Sequence, residues 1–189
     1  MANQPSMNLN TAIKAFNREM IPLGVHSQKI ANNEFIVAFI ANGKGSYIKV
    51  TLFPHHRASL RSGFTHPNHR NKGVGTALRA QAMRILYTSG YKKVNHMGIN
   101  ANNLAVGNYP LSTKIVRGRL GFKVNTSKPK EPPKPNRNHN FYFSTWAPTT
   151  NTIRQIATAL NHGKAKLAEL VRGKNLTFSG NVRSYIKNN

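Results

Sequence analysis

The residues with the clearest chemical potential are Arg70-Asn71-Lys72-Gly73-Val74-Gly75-Thr76. They lie between a strand-like run ending in Phe64-Thr65-His66-Pro67 and a helical run from about Gly75 to Ser89. A Gly-rich turn that leads into a helix leaves several backbone N–H groups without an intrahelical partner. The helix dipole adds partial positive charge at that end, and the two together seat phosphate. Gly73 and Gly75 lack the Cβ atoms that would hold an anion off the backbone. The chemistry expected here is capture of a ligand bearing a pyrophosphate. His66 and His96 are the candidates for proton transfer, because an unperturbed imidazole titrates at about 6.5. His55-His56 and His66-Pro67-Asn68-His69 have no carboxylate or thiolate beside them. No metal site is therefore expected, and they read as surface or anion-facing histidines. No Ser-His-Asp arrangement is recognisable, and in a chain without Asp only Glu could complete one.

Charge is the second signal. Twenty-eight Lys and Arg residues face four acids, Glu19, Glu34, Glu131 and Glu169, giving a formal net charge of +24. Such an excess repels itself in a compact fold unless anions neutralise it. Nucleic acid, or an assembly that contains it, is the partner this balance suggests, through phosphate contacts and counterion release. The absence of cysteine excludes disulfides, thiolate metal sites and a Cys nucleophile. The longest apolar run, Phe35 to Ala41, is too short to span a bilayer. The start, Met1-Ala2-Asn3-Gln4-Pro5, has neither a basic n-region nor an apolar h-region. An intracellular, non-secreted protein that does not engage membranes is expected.

The elements that position these residues follow from periodicity. Leu9, Ile13, Phe16 and Met20 fall at helical spacing, and Pro22 and Gly24 end that helix. Glu34–Ala41 and Ser46–Phe53 read as strands, with Asn42-Gly43-Lys44-Gly45 as their hairpin turn. A further strand runs over Ala58–Thr65. The next helix carries Ala77, Leu78, Ala82, Ile85 and Leu86 on one face and stops at Gly90. A strand from Lys92 to about Asn100, a loop over 101–110 and a helix from Ser112 to Arg119 come next. Residues 126–140, rich in Pro, Lys and Asn, read as an extended polar loop, and Phe141–Trp146 as the last strand. Beyond Pro148, Thr152 caps a helix with the stripe Ile153, Ile156, Leu160, Leu167 and Leu170, weakened in its middle by Gly163. Its polar face and the tail carry Arg154, Lys164, Lys166, Arg172 and Lys174, the candidate nucleic-acid contacts. The tail looks poorly folded alone, and the helix either packs on the domain or docks on a partner.

Arg70 to Gly75 resembles the acetyl-CoA-binding signature of the GNAT family of N-acetyltransferases: Arg or Gln, two residues, Gly, one residue, then Gly or Ala. Thr65-His66-Pro67-Asn68-His69-Arg70 is similar to the family's His-Pro-x-x-Arg approach to that turn. Lys93 to Asn100 resembles the following strand, and Leu120-Gly121-Phe122-Lys123-Val124 the closing Leu-Gly-Phe and its strand. The resemblance spans roughly residues 8 to 147. It implies an α/β (α+β) fold with a central mixed, mostly antiparallel sheet flanked by helices, here with a basic C-terminal helical extension. The implied division is a polar segment 1–8, a domain 9–148 that includes the 126–140 loop, and a basic helix and tail 149–189.

The resemblance also implies roles. The backbone N–H groups of Asn71, Lys72, Gly73, Val74, Gly75 and Thr76, with Arg70 and the Thr76 hydroxyl, would hold the pyrophosphate of acetyl-CoA. The backbone of Gly63-Phe64-Thr65 would pair with the pantetheine. The family's Asn after the fifth strand corresponds to Asn100, Asn102 or Asn103. Two departures stand out. The strand at 58–65 lacks the carboxylate that commonly deprotonates the amine. Arg117 occupies the place of the Tyr that protonates the leaving thiolate, and Tyr109 is the candidate substitute.

Two readings follow. One is a GNAT-like enzyme that moves an acetyl group from acetyl-CoA to an unidentified amine, on an acceptor that is neutral or anionic or part of a nucleic-acid complex. The other is a catalytically degenerate GNAT scaffold acting as a basic structural or nucleic-acid-binding part of a ribosome-like particle or virion.

Overall fold

Helix α1, Leu9–Met20, starts where the Asn8 side chain accepts a hydrogen bond from the Asn10 N–H, 2.9 Å away. That bond satisfies one of the free donors of the first turn. The computed structural model describes residues 6–100, 111–124 and 140–183. The α1 stripe buries Ala12, Ile13 and Met20 and packs Leu9 and Phe16 beside them. A short 3₁₀ turn, Ile21–Leu23, ends at Gly24 in the left-handed region.

Strand β1, Val25–Ala31, is not anticipated by the sequence reading. Only Val25 and Ser27 of its seven residues are buried. An edge strand this polar is formed by pairing with its neighbour rather than by apolar alternation. That neighbour is β2, Glu34–Ala41, which turns through Asn42-Gly43 into β3, Lys44–Phe53. Asn42 and Gly43 have φ of 52° and 71°, as a two-residue hairpin requires.

The remaining elements are β4, Arg57–Phe64; α2, Val74–Thr88; β5, Lys93–Asn100; α3, Leu111–Arg119; β6, Lys123–Val124; β7, Asn140–Trp146; and α4, Thr150–Val171. The strands form one seven-stranded sheet in the order β1-β2-β3-β4-β5-β7-β6. Only β4 and β5 run parallel, joined by the α2 crossover; every other pair is antiparallel. Core residues of all four helices merge with Phe35, Val37, Phe39, Leu60, Val94 and Trp146 into one cluster. Helix α2 is buried on nearly every side between Val74 and Leu86, because sheet and helices surround it.

Helix α4 packs on the domain, which settles the alternative that the sequence leaves open. Thr149 and Thr152 form a reciprocal cap at its start. Ile156, Ala159, Leu160 and Leu167 enter the main core. Gly163 lets α4 approach α2: a Cβ there would lie 2.8 Å from both Cα and Cβ of Ala77. The chain then returns to the sheet. Asn42 and Thr177 exchange two hydrogen bonds of 2.9 Å, and Phe178 bridges to Ala41. Val182 closes a second cluster with Ile36, Ala38 and Ile40, on the face of β2 opposite the helices.

Candidate functional site

Pairing between β4 and β5 ends at Leu60–His96, although the strands continue to Phe64 and Asn100. Beyond that point β4 stays with β3, and β5 stays with β7. The sheet therefore splits. A bulge sharpens the split: Val50 pairs with Leu60 and Ile48 with Gly63, so Arg61 and Ser62 together face Lys49. The extra residue turns Gly63 to the same side as Ile48, under helix α2.

The turn leaving β4 is built locally. His66 caps a single 3₁₀ turn, Pro67–His69, its Nδ1 accepting from the Asn68 N–H at 3.1 Å. Asn71 and Gly73 then adopt φ of 59° and 74°, and α2 begins at Val74. No side chain caps α2, so the N–H groups of its first turn remain available to a ligand. Arg70 and Lys72 brace the turn through the carbonyl oxygens of Thr65 and Asn68.

Split and turn open into one cleft of about 750 Å³, bounded also by α3 and α4. Its lining includes Gly63, Phe64, Thr65, Arg70, Asn71, Gly73, Gly75 and Thr76 among the residues expected to hold the cofactor. Val74 is wholly buried and offers only backbone, while the Lys72 ammonium is engaged with the Asn68 carbonyl. Arg70, Arg79, Lys114, Arg119 and Lys166 are part of that lining, and among the described residues no carboxylate is. Arg119 reaches across from α3 to the Thr76 hydroxyl at 3.4 Å. A surface so one-sidedly cationic suits a ligand with several phosphate charges.

Besides Lys114 and Arg119, two buried residues of this site are missed by the sequence reading. His69, read there as a surface or anion-facing histidine, is buried and lines the cleft. The Ser46 hydroxyl accepts from the His66 N–H at 3.0 Å and meets His69 Nδ1 at 2.8 Å. Donating its own proton to that nitrogen makes His69 the Nε2–H tautomer. Burial, aided by the nearby His66, Lys72 and Lys44, lowers the His69 pKa to about 4. Arg79 is the second residue: it sits on α2 one turn past Gly75 and is 5% exposed. Its burial could be suspected only from its place among the apolar residues of α2.

The proton-transfer candidates lie as follows. His66 Nδ1 is taken up by its cap, where it accepts from the Asn68 N–H. His96 is buried on β5 facing α3, its Nδ1 without a partner. Burial first, then the Arg79 and Arg117 charges, lower its pKa to about 4. Arg117 points to β7, where its Nε donates to Ser144 Oγ at 2.6 Å and an Nη donates to the Phe143 carbonyl. Tyr109, Asn102 and Asn103 lie outside the described residues, and Asn100 is placed by its backbone alone, paired with Asn140 at the end of β5.

Of the candidate nucleic-acid contacts, Lys164 pairs with Glu19 and Lys166 with Glu169. Arg154, Arg172 and Lys174 are exposed, Arg154 beside a smaller cleft between α3 and α4. Among the described residues no group of three or more His, Cys, Asp or Glu could hold a metal ion, and no helix is long and apolar enough to cross a membrane.

Residues 13–109 match the acetyltransferase (GNAT) family. That match covers just over half of the chain, and the protein belongs to this family. No curated protein matches it by sequence. Among solved structures, the PaiA N-acetyltransferase from Thermoplasma acidophilum in complex with coenzyme A is 13% identical, with 61% of this chain and 62% of that one covered and a TM-score of 0.45. The ribosomal-protein-S18-alanine N-acetyltransferase from Escherichia coli is 14% identical, with coverage of 75% and 90% and a TM-score of 0.47. A spermidine N-acetyltransferase mutant from Vibrio cholerae is 16% identical, with coverage of 79% and 76% and a TM-score of 0.47. The chain spans less than two thirds of the length of several other such structures.

Proposed function

We propose that the protein is an acetyl-CoA-dependent N-acyltransferase that acetylates an amine on a neutral or anionic acceptor. The observation that carries this reading is the cationic cleft at the uncapped start of α2, with no carboxylate among its described lining, opening where β4 and β5 part. Acetyl-CoA supplies the activated acetyl group. The first-turn N–H groups of α2, with Arg119 and Lys166, hold its phosphates, and the unpaired edge of β4 from Gly63 to Thr65 orients the pantetheine.

Proton handling sets the limits of the acceptor. Among the described residues no carboxylate lines the cleft, His66 does not line it, and burial lowers the His96 pKa to about 4. The amine therefore sheds its proton to water before attack, and kcat/KM should follow the acceptor's own pKa. A cationic acceptor finds no acid in this cleft to seat it.

Calorimetric titration with CoA, on protein freed of nucleic acid and in moderate salt, tests the site. Micromolar binding is expected, with a loss of at least about 100-fold in Gly75→Glu, whose side chain invades the phosphate seat. Equal binding by the variant, or none by the parent, rejects the assignment.

A further inference from the structure

Among the described residues Arg79 is a cation with no carboxylate partner. It is 95% buried, since only 5% of its surface is exposed, and its Nε has no hydrogen-bond partner. Its one recorded protein hydrogen bond joins Nη1 to the Gly75 carbonyl oxygen at 3.0 Å. Each carboxylate among the described residues is taken elsewhere: Glu19 by Arg84 and Lys164, Glu34 by Lys49, and Glu169 by Lys166. Burial lowers the guanidinium pKa to about 10, which still leaves it charged at neutral pH. An unpaired buried charge is destabilising, so a fold that keeps one has a use for it or a partner that comes and goes.

The surroundings indicate the partner. The side chain runs back toward the N-terminus of α2, the direction that helix geometry favours. Two glycines make room for its guanidinium. A Cβ on Gly63 would lie 2.7 Å from Nη2, and one on Gly75 would lie 3.2 Å from Nη1 and 3.2 Å from Thr65 Oγ1. The guanidinium thus forms the floor of the cleft between the end of β4 and the free N–H groups of α2, and its field reaches His96 at the strand split.

We propose that Arg79 is a built-in countercharge for the ligand, a buried contact for a phosphate of the diphosphate class that is left unpaired until the cleft fills. The inference rests on the cleft being a phosphate site, as the proposed function holds. It adds that apo stability and ligand affinity oppose each other at this one residue. An arginine suits the task because its fork holds two phosphate oxygens at once.

The test uses the full chain, with inorganic pyrophosphate and CoA as probes and KCl matching the ionic strength throughout. Arg79→Met keeps the bulk and removes the charge; Arg79→Lys keeps the charge. Arg79→Met should melt at or above the parent without ligand, lose most of the Tm rise that pyrophosphate gives the parent, and bind CoA roughly 10- to 100-fold more weakly. Arg79→Lys should retain much of both responses.

A lower apo Tm in Arg79→Met with the pyrophosphate response intact makes Arg79 a structural post and overturns the proposal. Should that variant both melt lower and lose the response, recovery in Arg79→Lys supports the proposal and no recovery rejects it. A parent that responds to pyrophosphate but not to CoA keeps the anion contact and removes the acetyl-CoA reading. Unchanged CoA affinity in Arg79→Met does the reverse. A parent that gains nothing from either probe beyond KCl rejects the countercharge outright.

Discussion

At Ser46 one hydroxyl serves two histidines, taking the His66 N–H and facing His69 Nδ1. Ser46→Ala strands a buried imidazole nitrogen and loosens the turn that leads to α2. It should cost about 1–3 kcal/mol in urea unfolding, read against the parent at pH 7.5. The buried histidines also make stability depend on pH. His69 and His96 fall from about 6.5 unfolded to about 4 in the fold, chiefly through burial. Between those values the unfolded chain binds more protons, so acid favours unfolding. Stability should be steady above about pH 7 and fall as pH drops from about 6.5 toward 4. Asn substitution at His96 should flatten part of that slope; an unchanged slope in His96→Asn rejects its share. Of these residues, Gly73 and Gly75 are legible in sequence because φ and backbone access are local properties. His69 is not, because its burial depends on Phe39 and Ser46, from strands far earlier in the chain.

Among the elements, α4 shows how periodicity can be right and its interpretation incomplete. The stripe Ile153, Ile156, Leu160, Leu167 and Leu170 packs on the core as spaced. Gly163 counts against the helix by propensity, yet it is where α4 touches α2. Helix propensity concerns an isolated turn, whereas the contact with Ala77 is tertiary, and close packing outweighs the backbone entropy that Gly loses. Gly163→Leu should therefore destabilise the protein by about 1–3 kcal/mol or more, despite the better helix former. Because α4 also carries His162 and Lys166 to the cleft, that variant should weaken CoA binding in calorimetry as well. A more stable Gly163→Leu would show that α4 does not depend on this contact. Strand β1 is the opposite case: an edge strand with two buried residues leaves little apolar alternation to read.

At the scale of the molecule, the helices cover one face of the sheet, while the segment after α4 packs Phe178 on that same face and Val182 on the other. Phe178 lies edge-on to Phe39, at 5.8 Å between ring centroids, and Val182 seals Ile36, Ala38 and Ile40. Ending the chain after Gly173 uncovers both and frees the edge of β2 at Ala41. The truncated protein should lose about 3 kcal/mol or more of stability and bind a hydrophobic dye in the native state; an unchanged unfolding midpoint rejects this role for the tail. The charge of +24 acts at the same scale. Two of the basic residues read from sequence as a nucleic-acid face, Lys164 and Lys166, form ion pairs, the first linking α4 to α1. The cationic lining of the cleft is the part of that excess with a defined place.

From the sequence alone come the Gly-rich turn before α2, the helix stripes, the hairpin turn at Asn42-Gly43 and the family resemblance. Each rests on a few adjacent residues whose φ, periodicity or spacing carries the information. Tertiary structure alone decides that α4 and the tail belong to the core, that His69 is buried and neutral, and that Arg79 reaches the cleft floor without a carboxylate. Those facts depend on which distant segments fill the space around a side chain, and on where the described acids Glu19, Glu34 and Glu169 settle. Burial and charge compensation are properties of the assembled fold, and no local window of sequence contains them.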